Sequence, residues 1–72
     1  MITHKKKYGI YHWDTFEQDP EDATLLVAEA NTLPEAEKKV QKKYGKRIGG
    51  HGADRVDIVD KAGNVVESFQ VG

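Results

Sequence analysis

Thr32-Leu33-Pro34-Glu35 opens the one segment of this chain that reads firmly as a helix. Thr32 can accept a backbone N–H bond, Glu35 can reach back as in a capping box, and Pro34 sits where a missing N–H does no harm. Leu33, Ala36, Val40 and Tyr44 follow at spacings of three and four and form a single apolar stripe. Gly45, able to take the left-handed conformation, is the natural stop. The helix is thus about 12 residues, roughly 18 Å long. One helix with one apolar stripe needs a partner surface, which the strand-like segments elsewhere in the chain can supply, although Thr24 to Ala30 is also compatible with a short helix.

Tyr8 to Phe16 is dense in aromatic and β-branched residues and reads as a first strand, ended by the acidic, proline-bearing stretch Glu17 to Asp22. Thr24 to Ala30, with Leu25, Leu26 and Val27 in a run, reads as a second. After the helix, Arg55 to Asp60 and Val65 to Val71 read as strands joined by Lys61-Ala62-Gly63-Asn64, a hairpin turn in which Gly63 suits positive φ. The expected fold is a single α+β domain over residues 1–72, with a β-β-α-β-β order and the helix across one face of a four-stranded, mainly antiparallel sheet. Leu33, Ala36, Val40 and Tyr44 should meet Ile10, Leu26, Val56, Ile58 and Phe69.

One helix covers one sheet face, so the second face should be polar at alternate positions. Instead Ile10 and Tyr11, Leu25 and Leu26, Ile58 and Val59, and Val65 and Val66 put apolar side chains on both faces. A cover is expected: a second copy, another partner, or the N-terminal segment folded back. At 72 residues the core is thin, so self-association would be a useful supplement to stability.

Charge is distributed in blocks. Asp14 to Glu37 holds eight acidic residues and no basic one, whereas Lys38 to Arg47 holds six basic residues and no acidic one, although the net charge is only −1. Lys42, Lys43, Lys46 and Arg47, with Gly49, Gly50, His51 and Gly52 beyond them, form a candidate anion or nucleic-acid site: cations neutralise phosphates, and a glycine loop can present backbone N–H groups. The competing reading is ordinary helix electrostatics and a flexible connection. Acids in the first turn and lysines in the last complement the helix dipole, and Glu35 with Lys39 is worth a few tenths of a kcal/mol. Tyr11 and Trp13 share a strand face and are candidate interface anchors, or a stacking platform for bases.

Ile48-Gly49-Gly50-His51-Gly52 resembles the Ile-Gly-x-x-Gly loop of KH domains, which clamps a single-stranded nucleic-acid backbone. KH domains set that loop between two helices, whereas Arg55 to Asp60 reads as a strand, so the resemblance is confined to five residues. More broadly, Thr32 to Val71, with its capped helix, glycine-bearing loop and Asp60-Lys61-Ala62-Gly63 hairpin, resembles small bacterial domains of unknown function. That likeness implies a bacterial or phage origin and conveys no activity.

Nothing in the sequence forms a linear catalytic signature. His12 and Asp14 share a strand face without an identifiable third partner, and His4, His12 and His51 lack metal-ligand spacing. Ser68, the sole serine, lies outside any nucleophile elbow. With no cysteine there is no disulfide and no thiolate site. The longest apolar run, Leu25 to Ala28, is far below the roughly 20 residues of a membrane span, and the basic N-terminus is not followed by an apolar signal core. The expectation is a cytoplasmic non-enzyme without metal or cofactor: a protein-interaction or homo-oligomerising module, or, alternatively, an auxiliary nucleic-acid-binding module.

Overall fold

The structure, a computed structural model, describes residues 4–13, 24–49 and 54–71. Strand β1 spans Tyr8–Trp13, β2 Thr24–Ala30, helix α1 Leu33–Tyr44, a 3-10 turn Gly45–Arg47, β3 Asp54–Val59 and β4 Val65–Val71. The strands form one antiparallel sheet in the order β2-β1-β3-β4, with α1 packed on one face. The α+β architecture and the β-β-α-β-β order therefore stand. Of the expected first strand, residues 14–16 lie outside the described residues, as does the acidic turn that follows them.

The helix begins as its sequence dictates, with one change. Thr32, in an extended conformation, accepts the Glu35 N–H at 3.3 Å, but the Glu35 carboxylate reaches past Thr32 to the N–H of Asn31 at 3.0 Å. Its last turn closes on Gly45, whose N–H bonds the Gln41 carbonyl and whose φ of 35° a side chain would resist. The hairpin between β3 and β4 is held by Asp60, which leaves the strand it was expected to end. Its Oδ1 accepts the N–H groups of Ala62 and Asn64, both at 2.9 Å, while Gly63 takes φ 90°.

Ala36, Val40 and Tyr44 of α1 bury against Ile10, Ala30, Val56, Ile58 and Val71, with Leu33 and Phe69 partly buried beside them. Ile10, Ile58, Val40, Val56 and Val71 are less than 2% exposed, and each fully buried aliphatic side chain contributes about 1.5–3 kcal/mol. Leu26 is not in this cluster, contrary to expectation. Ile10 pairs with Ala28 but Tyr11 pairs with Leu26, so Val27 is an extra residue on β2. This bulge changes which side chains face the helix, and Val27 and Ala28 pack there in place of Leu26.

The second face is covered in part by the chain's own N-terminal segment. His4 is 8% exposed, and its Nδ1 lies 2.9 Å from the Tyr11 hydroxyl. The Lys5 and Lys6 N–H groups donate to Glu29 on β2, and the Lys61 ammonium donates to the carbonyls of His4 and Lys5. Residues 4–7 thus form a strap tied to both β2 and the β3–β4 hairpin.

Candidate functional site

Three regions merit a functional reading, and the first is an edge. Among the described residues β4 is an outermost strand. Near its end, Ile48 bridges to Val71 and the Gly49 N–H donates to the Gln70 carbonyl at 2.8 Å. That bond comes from the side away from β3, so the backbone groups of Gln70 face outward. Alternation along an antiparallel strand sends those of Ser68 the same way, where no strand lies beside them among the described residues. Val65 and Val66 at the other end are 56% and 43% exposed. Neither lysine nor proline interrupts β4, although these residues commonly protect edge strands.

The second region is the C-terminal end of α1. Lys42, Lys43, Lys46, Arg47 and Gly49 are all exposed, while Gly50, His51 and Gly52 lie outside the described residues. The Gly49 N–H is already engaged by Gln70 and is not available to an anion nest. The basic side chains divide by use. Lys39 bonds the Glu29 carbonyl and lies 3.8 Å from Glu35, Lys61 holds the strap, and Arg55 pairs with Asp57. Lys42, Lys43 and Lys46 have no acidic partner among the described residues.

This end is fixed by a side-chain relay that the sequence does not show. His12 lies on the helix side of β1, with Nδ1 2.9 Å from the Tyr44 hydroxyl and Nε2 2.9 Å from Asp54 Oδ2. Against an ionised Asp54, a neutral His12 carries its proton on Nε2 and accepts from Tyr44 at Nδ1. Burial raises the Tyr44 phenol above its ordinary value; Arg47 opposes the shift and Asp54 adds to it. The Arg47 guanidinium stands over the Tyr44 ring, 5.7 Å from its centroid. With both imidazole nitrogens engaged and the phenol buried, the relay ties α1 to β1 and β3. Asp14, the partner considered for His12 from sequence, lies outside the described residues.

The third region is the strapped face. Tyr11 is buried there under His4, in edge-on ring contact, and its phenol is raised by burial and then by the Glu29 charge. Trp13 is half-buried, with Arg55 over its ring at 5.7 Å. The buried Asp57 accepts from Ser68 Oγ at 2.6 Å and from Arg55 Nε. His4 Nε2 is buried without a hydrogen-bond partner among the described residues. An orphaned polar atom of this kind costs about 1–3 kcal/mol, which offsets part of what the strap's other hydrogen bonds contribute.

His4, Tyr44 and Asp54 are the positions that sequence reasoning missed as partners. Their signals are parity and distance: His12 alternates with Tyr11, so it faces the helix, but its partners are 32 and 42 residues away. Among the described residues no group of three or more His, Asp or Glu side chains could hold a metal ion, and no helix is long and apolar enough to cross a membrane. Comparison with protein-family models, curated proteins and solved structures gives no match.

Proposed function

We propose that this chain is a non-catalytic protein-interaction module that self-associates by adding β4 of a second copy to its own β4. The observation that carries this reading is the edge itself: Ser68 backbone groups directed outward, Val65 and Val66 exposed beside them, and no edge-protecting lysine or proline. The Ile48–Gly49 segment already occupies the end at Gln70 and Val71, which confines pairing to the stretch around Val65 to Ser68. A second copy suits the site because a 72-residue core has little stability to spare and pairing of the same strand closes as a two-fold dimer. Tyr11 and Trp13, the candidate anchors on β1, lie away from this edge: Tyr11 is under the chain's own strap, and Trp13 is half-exposed. A reducing compartment such as the bacterial cytoplasm fits a cysteine-free chain.

Sedimentation velocity across a concentration series tests the proposal. The wild-type chain should shift from one-chain to two-chain mass as concentration rises. Val66→Lys, which places a charge on the edge without touching the core, should stay monomeric. A wild-type chain that is monomeric throughout, or a Val66→Lys variant that dimerises equally well, contradicts it.

A further inference from the structure

The lysines at the end of α1, which have no acidic partner among the described residues, are not explained by pairing at β4. Helix-dipole complementarity accounts for Lys42 and Lys43 in the last turn, but Lys46 and Arg47 follow on the 3-10 turn beyond it. That turn is held from both sides. Tyr44 is pinned through His12 to the sheet, and Ile48 is bridged to Val71. The cations therefore project from an anchored backbone rather than from a free loop.

The same end of the sheet presents a second group on its other face. His12 and Asp54, which face the helix, are followed in the chain by Trp13 and Arg55, and strand alternation sends those two to the opposite side. Trp13 and Arg55 are register partners, with the guanidinium over the indole. An aromatic ring and a guanidinium are both surfaces on which a base can stack.

We infer that Lys42, Lys43, Lys46 and Arg47, together with Trp13 and Arg55 around the same end of the sheet, form a surface for single-stranded nucleic acid. The lysines and Arg47 meet the phosphate backbone, and Trp13 with Arg55 supplies the stacking position. Single strands fit better than duplex because the stacking pair needs an unpaired base, and better than an acidic peptide because such a peptide offers nothing to stack. The surface is separate from the β4 edge, so either can fail without the other.

Trp13 is the only tryptophan, which makes it an intrinsic reporter. Titration with an oligothymidylate at low salt should quench its fluorescence saturably. Neutralising about four phosphates predicts that log affinity falls with log salt at a slope of about −3. The triple variant Lys42→Glu, Lys43→Glu, Lys46→Glu, checked for folding by circular dichroism, should bind roughly tenfold or more weakly, with the slope reduced towards about −1. The inference is overturned by absence of binding at low salt, by equal binding of the triple variant, or by polyglutamate or duplex DNA quenching Trp13 as effectively as the single strand.

Discussion

The imidazole of His4 lies in the space that Gly9 leaves by having no side chain: a Cβ at position 9 would stand 2.5 Å from His4 Nδ1 and 2.8 Å from the Tyr11 ring. This contact links the N-terminal strap to β1. It eases the conflict between one described helix on one sheet face and apolar residues on both, because the chain covers part of its own second face.

Gly9→Ala should therefore destabilise the protein, although alanine is ordinarily better than glycine inside a strand by about 0.5–1 kcal/mol. Overpacking of this kind costs about 1–3 kcal/mol. In a His4→Ala background the contact with the imidazole is gone and only the Tyr11 ring at 2.8 Å remains, so the same change should cost clearly less. Urea denaturation of the two single variants and the double variant checks this; additive effects would contradict the contact.

Acid should loosen the strap. The Lys5 N–H, then the Lys6 N–H and the charges of His4 and Lys6, hold the Glu29 carboxyl below its ordinary value near 4.5 against a smaller opposing effect of burial. A carboxylate with a lowered folded value contributes stability above its unfolded value and loses it as pH falls through the folded one. The Lys5 and Lys6 amide resonances should thus move with a midpoint below 4.5 and should lose that transition in Glu29→Gln. A midpoint at or above 4.5 would contradict the bond.

Tyr44→Phe removes the hydroxyl from His12 Nδ1 and leaves the ring packing in place. The loss should be about 1–2 kcal/mol in urea denaturation, because a part-buried nitrogen loses its partner. The Lys46 and Arg47 amide resonances should shift as the helix end loosens. Unchanged stability together with unchanged resonances would show that the relay does not anchor this end.

Glu67 on β4 faces α1, and its carboxyl is held above the ordinary value, first by burial and then by the Glu37 charge and hydrogen bond. Here the sign reverses: the ionised form is the disfavoured one, so stability declines as pH rises through the unfolded and then the folded value. Glu67→Gln should raise the thermal midpoint at neutral pH and change it little well below pH 4.5. A lower midpoint at neutral pH would contradict this.

The helix and the hairpin were legible in the sequence because their determinants are local. Thr32, Pro34 and Gly45 act within a few residues of themselves, and Asp60 turns the chain by bonding N–H groups two and four residues on. The need for a cover on the second face was legible from the paired apolar residues, with the N-terminal segment among the candidates. Which residue fills which gap was not, since His4 meets Tyr11 and Gly9 only once the strap is folded. The extra residue at Val27 was hidden for a related reason: no glycine or proline marks it, and only pairing with β1 reveals it. At the helix end the cations could be read directly, but not the His12, Tyr44 and Asp54 relay that holds them, which spans three elements.

The central claim is that β4 pairs with β4 of a second copy, and amide hydrogen exchange at Ser68 reads it most directly. The Ser68 N–H faces outward and has no strand beside it among the described residues of the single chain. Its exchange should slow as protein concentration rises, while amides on the opposite edge strand, β2, exchange at an unchanged rate. A Ser68 exchange rate independent of concentration across the same series would contradict the account.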